Sequence, residues 1–296
     1  MSKFYAQLVN DYRINQKSLL TPIILFLVID FLAIITFFIV KHKLGLDYQD
    51  MISINVNTEG TDLGMLSESL WYMIGMGVLG FVGFVMVLVS LSIGNQSLNM
   101  EKFRKCEIFY RSQPVSIWLY SFSKYLIAVL APIVVLFLVG LFNMLLVIPF
   151  VNQVVRFDFI DALSGLMVGF LLYSRSIIVA GSIGFLVSGI FKEKAFLKLI
   201  MILVSIQLVI VFAHFSINTP LFDMIQYLVK LVNPLNGLKE MIDLNNLETI
   251  MDFRQVFNFR VLLFNWHSAL QILASAAFFV LGTFIYSRKE VNYEES

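Results

Sequence analysis

Six stretches of this chain are too long and too apolar to fold as a water-soluble core. They run over about 20–40, 70–94, 125–149, 162–190, 199–217 and 265–286. A helix needs roughly 20 apolar residues to cross a hydrocarbon layer of about 30 Å. In lipid every backbone polar group must be satisfied within the protein, so runs of this length fold as helices. Only 14% of the 296 residues are charged and 59% are apolar, against about 25% charged in an ordinary soluble domain. The expectation is an all-α integral membrane protein: one transmembrane domain over 1–296 with six spans.

Charge sets the orientation. With both termini cytoplasmic, the inner segments carry Lys or Arg at 3, 13, 17, 102, 104, 105, 111, 124, 192, 194, 198, 288 and 289, thirteen in all. The outer segments carry seven, at 41, 43, 156, 230, 239, 254 and 260. That asymmetry is the positive-inside pattern, although Lys41 and Lys43 run against it. Trp71, Trp118 and Trp266 fall at the ends of spans, where an indole ring suits the interface. Residues 1–19 lack a secretory signal with a cleavage site, so the first span stays in the mature chain. Residues 2–17 read instead as an amphipathic interfacial helix, with Tyr5, Leu8, Val9 and Tyr12 as its apolar stripe. The sole cysteine, Cys106, excludes an internal disulfide.

The most charged short segment lies between the second and third spans. Over 95–124 it carries Glu101, Lys102, Arg104, Lys105, Glu107, Arg111 and Lys124. Residues 98–112 suit a short amphipathic helix, which Pro114 stops because it has no N–H and disfavours helix at Gln113. A second, shorter basic turn spans 191–198. Residues 218–264 are too polar to span and too apolar for a free loop. Thr219–Pro220 and Asn233–Pro234 can each open a short helix there, lying on or dipping into the outer leaflet. In the second span Gly75, Gly77, Gly80 and Gly83 predict close helix packing, as do Gly165 and Gly169 in the fourth.

Glu101, Arg104, Lys105, Glu107, Phe109, Tyr110 and Arg111, followed by Pro114–Val115–Ser116 and then Lys124, resemble the segment joining the second and third spans of type-2 ABC exporter permeases. The amphipathic start, the six spans and the half-helices before the last span are similar to that family as well. The resemblance implies a transport subunit without catalysis of its own. A separate ABC ATPase would dock on a coupling helix over 98–113, through Glu101, Arg104, Lys105, Glu107, Phe109, Tyr110, Arg111 and Pro114. ATP and Mg would be bound by that partner, and no cofactor by this chain. Two permease copies, identical or related, would pair around a path lined by the second and fifth spans, including Phe81, Phe84, Ser205 and Gln207. The implied location is the bacterial inner membrane.

Asp30 and Arg175 lie near the middle of the first and fourth spans. A lone charge at that depth costs roughly 2.5–3.5 kcal/mol on insertion scales, which suggests an intramembrane pair. The null alternative is that each faces a wet cavity separately. Such a pair also marks the alternative function, a secondary transporter or channel. Nucleotide-binding, zinc-protease and serine-hydrolase motifs are absent, so the reading is no enzyme. A net charge of +1 gives no reason to expect nucleic acid as a partner; membrane lipids are the surroundings.

Overall fold

A computed structural model describes residues 3–44, 63–99, 116–151, 157–191, 195–217, 223–234 and 265–288. Among these residues there are seven helices and no strand: α1 (Lys3–Leu44), α2 (Leu63–Ser97), α3 (Ile117–Val151), α4 (Phe159–Ile190), α5 (Ala195–Ile217), α6 (Met224–Val232) and α7 (Trp266–Arg288). All but α6 are long and apolar enough to cross a membrane, so the chain is a multi-pass membrane protein. The six expected spans coincide with these six helices, several of which run past the expected limits.

The first helix departs from expectation. No break separates an interfacial helix from the first span; α1 is continuous for 42 residues. Pro22 lies inside it and removes one backbone donor. The neighbouring Thr21 hydroxyl donates to the Lys17 carbonyl at 2.8 Å. The residues α1 buries are Asp11, Asn15, Leu19, Pro22 and Phe26, spaced at one helical turn each and facing mainly α3. Tyr5 and Tyr12, expected on the apolar stripe, are exposed. The packed face thus begins with two polar residues, which a hydropathy pattern assigns to solvent.

The core forms where α2, α3 and α4 meet. Trp71, Leu79, Met86, Leu136, Leu166 and Ile177 are fully buried there, joined by Phe26 of α1. α2 and α4 run parallel and touch backbone to backbone. A Cβ on Gly165 would collide with the Tyr72 carbonyl, and one on Gly94 would stand 2.5 Å from the Gly181 carbonyl oxygen. Without side chains at these points the two helices approach as closely as helices can. The expected role of the second-span glycines holds for Gly75, which meets the Ala162 backbone, and for Gly83, which lies under the Tyr173 ring. It does not hold for Gly77, which faces open space, and Gly80 meets only the Tyr173 hydroxyl at 3.8 Å. Trp71, at the start of the second apolar stretch, is covered by protein rather than left open. It is fully buried and meets the Phe157 ring edge-on at 4.8 Å, while Trp118 and Trp266 are exposed.

Asp158 caps α4, accepting from the backbone N–H of Ile160 at 2.9 Å and of Asp161 at 3.2 Å. The opposite face of α4 receives α7, again in parallel. A Cβ on Gly189 would stand 2.7 Å from the Gly282 carbonyl oxygen. One constant offset also pairs Arg175 with Ser268. By that register α7 opens beside Tyr173, about 21 Å past the start of α4 at 1.5 Å per residue. Its first turn is tied to the end of α6, where Gln271 Nε2 donates to the Leu231 carbonyl at 2.9 Å. Asp223 caps α6 by accepting from Gln226 N–H at 2.9 Å, so this helix starts later than Thr219–Pro220. Those two residues lie outside the described ones. Asn233, expected to open a helix, is the C-cap of α6.

Candidate functional site

The charged segment between α2 and α3 is held at both of its ends. α2 closes at Ser97, and Leu98 and Asn99 form a turn rather than the start of another helix. Leu98 is buried among Tyr120, Phe185 and Tyr286, which come from α3, α4 and α7. Asn99 Nδ2 donates to the Phe191 carbonyl at the end of α4, at 2.9 Å. Seventeen residues farther on, Ser116 opens α3 as a helix cap, its Oγ accepting from Leu119 N–H at 3.3 Å. One turn into α3, the Tyr120 ring stacks on Tyr286 of α7 with centroids 6.3 Å apart. The described residues on either side, Leu98, Asn99 and Tyr120, are therefore fixed to α4 and α7. Glu101, Arg104, Lys105, Glu107, Phe109, Tyr110, Arg111 and Pro114 lie outside the described residues.

Near the start of α3 lies a buried ion pair. Lys124 Nζ is 3.0 Å from Asp11 Oδ1, with the two side chains 5% and 2% exposed. The second carboxylate oxygen accepts from the Ser123 hydroxyl at 2.7 Å. The ammonium also lies 4.8 Å from the centre of the Tyr120 ring, a cation–π distance. Asn15 Nδ2 donates to the Asp11 carbonyl at 2.9 Å, one turn along α1. Both charged groups are thus compensated by charge, by hydroxyl and by ring, which is the condition for a buried pair to persist. Residue types alone did not indicate this pair. Asp11 looked like a solvent-facing charge on an amphipathic helix, and Lys124 like a positive-inside residue at a span end. The spacing Asp11–Asn15–Leu19, which runs straight into the buried face of α1, was the available signal.

Three further hydroxyl contacts bind the spans behind this pair. The Ser90 hydroxyl lies 2.8 Å from the Ala128 carbonyl and 3.0 Å from that of Ile177. The Tyr125 and Ser182 hydroxyls are hydrogen-bonded to each other at 2.8 Å. They link α2, α3 and α4 just beyond Lys124, so the ion pair rests on a rigid part of the core.

Asp30 and Arg175 are placed in different surroundings. Asp30 lines a cavity between α1, α2 and α3, with Val78 and Asn143. Arg175 donates to Ser268 of α7. The carboxylate oxygen Oδ2 of Asp30 has no hydrogen-bond partner, so the expected pair is not formed in this arrangement. α1 packs chiefly on α3 and less on α2.

The residues suggested for the path stand on the outside of the chain. Phe81 and Phe84 of α2 are exposed, although Phe81 still meets Phe26 edge-on at 5.8 Å. Ser205 of α5 is exposed, its hydroxyl turned back to the Met201 carbonyl at 2.8 Å, and Gln207 is half-buried. None of the apolar stretch of α5 is buried within the chain; its main neighbours are α4 and α6. Among the described residues no cluster of His, Cys, Asp or Glu could hold a metal ion. No family model, no curated protein and no solved structure matches this chain.

Proposed function

We propose that this chain is the membrane-spanning permease subunit of an ATP-driven ABC exporter, with both termini on the cytoplasmic side of a bacterial inner membrane. The observation that carries this reading is the anchoring of the charged 100–115 segment. Its flanks are fixed by Leu98, Asn99, Tyr120 and Lys124 to α1, α4 and α7. A partner pushing on this segment would move several spans together, because rigid elements and buried polar contacts transmit force where a loose loop would absorb it. In this reading Asp11 and Lys124 latch the first span to the elbow. α5 leaves its apolar length uncovered, and Phe81, Phe84 and Ser205 face outward with it. That supports a second permease copy meeting α2 and α5 around the path. The descent of α6 and the late start of α7 support half-helices entering the membrane before the sixth span. ATP and Mg would be held by the partner ATPase, and the exported compound is set by the assembled pair.

The test is recovery of the partner. Affinity purification of the tagged chain from its native membrane yields an ABC ATPase, identified by mass spectrometry, and the complex hydrolyses ATP. Arg104→Glu and Glu107→Lys reduce that recovery at least fivefold while membrane insertion is unchanged. A chain that purifies without any ATPase, or variants that retain it fully, would overturn the reading.

A further inference from the structure

A cavity of about 300 Å³ lies between α1, α2 and α3, and neither the ion pair nor the residues suggested for the path line it. Its walls are apolar: Ala33 and Ile34 of α1, Val78 of α2, and Leu146, Val147 and Phe150 of α3. Two polar groups break that surface, Asp30 and Asn143. Asp30 Oδ2 and Asn143 Oδ1 are both buried acceptors without a hydrogen-bond partner. Among the described residues no cation lines the cavity. Buried acceptors of this kind are rare, and each calls for a donor. Here two of them, one a carboxylate, line the same apolar space.

We propose that this cavity binds a small organic cation: an ammonium group donating to Asp30 and Asn143, with its hydrocarbon body against Ile34, Val78, Leu146 and Val147. The volume is at the lower end of the range for small-molecule sites, which are mostly apolar with a few polar groups fixing orientation. An ammonium has three donors and supplies the missing positive charge. A neutral apolar guest would leave both acceptors unmatched. An anion would be repelled by the carboxylate. The site belongs to a single copy of the chain and does not depend on an ATPase partner.

The experiment uses the full chain in phosphatidylcholine nanodiscs, with 4-phenylbutylammonium as the probe and 4-phenylbutanol as its neutral counterpart, both measured by calorimetric titration. Saturable binding of the ammonium is expected, at least tenfold tighter than the alcohol. Asp30→Asn keeps the shape and removes the charge, and weakens ammonium binding at least tenfold. Ala33→Phe fills the cavity with Asp30 intact and abolishes binding, which covers the case in which Asp30→Asn fails to fold. Repeating the titration in phosphatidylethanolamine discs separates the sources of the cation. Weaker binding there marks a lipid ammonium as the competing occupant, and unchanged binding marks a free amine; both keep the site. Equal affinity for alcohol and ammonium, full binding by Asp30→Asn, or full binding by Ala33→Phe would each overturn the proposal.

Discussion

Lys124→Met lowers the stability of the folded bundle by about 3–5 kcal/mol, because it strands the Asp11 carboxylate in a buried site without its counter-charge. Asp11→Leu does the same to the ammonium. The effect is much larger than for an exposed pair, where removing one partner changes stability by about 0–1 kcal/mol. The reason is burial: the two side chains are 2% and 5% exposed. The double change Asp11→Leu with Lys124→Met restores most of the loss, since well-packed apolar replacements of a buried pair are often neutral or better. A double-mutant cycle of unfolding in mild detergent isolates the coupling, expected at about 5 kcal/mol or more, because the two single losses add while the double variant restores most of them. Single variants within about 1 kcal/mol of the parent would mean that the pair is solvated and holds nothing. If the permease reading is right, the double variant has a second consequence. It folds, yet its first span is no longer tied to the elbow by charge. Transport then falls relative to ATP hydrolysis, a split that a purely structural role would not produce.

The spans were legible because hydropathy reports them directly. Long runs such as 125–149 leave no other way to satisfy the backbone in lipid. Gly165 and Gly169 were legible as a packing face because their spacing places both on one side of a helix. The ion pair was not, because its partners are separated by 113 residues and each resembles an ordinary charge near a membrane surface. Only the fold shows that Asp11, Asn15 and Leu19 continue one buried stripe. The break expected after residue 17 followed from the polarity of residues 2–17. α3 supplies a partner for that polarity, so the helix runs on. Trp71 was assigned to the interface because position along a span carries no information about which way a ring points. Its packing partner, Phe157, lies outside the six apolar runs. Depth was also hidden. Nothing in 265–286 announces that α7 begins beside the middle of α4. Only the shared offset of Gly189 with Gly282 and Arg175 with Ser268 reveals it.

Gly165→Ala and Gly94→Ala each destabilise the bundle severely, whereas Gly77→Ala leaves it intact or slightly more stable. All three glycines lie in apolar helices, so composition does not separate them. Geometry does. A methyl on Gly165 meets the Tyr72 carbonyl and one on Gly94 meets the Gly181 carbonyl, while a methyl on Gly77 meets nothing within 4 Å. Overfilling a packed core costs about 1–3 kcal/mol and sometimes more. These two sites fall at the upper end, because the obstacle is helix backbone and cannot turn aside as a side chain would. Relief requires α2 and α4 to move apart, and that strips contacts from Leu79, Val82 and Leu166, which lie between the two glycine crossings. At Gly77 only the intrinsic helix preference for Ala over Gly remains, a gain of up to about 1 kcal/mol. The contrast is measured as the unfolding midpoint of purified protein, with the yield of monodisperse material as a second readout. Larger residues sharpen it: Gly165→Leu gives no folded protein, while Gly77→Leu still does. Equal tolerance of alanine at positions 77, 94 and 165 would show that α2 and α4 do not touch through their backbones. The core built on that contact would then be wrong.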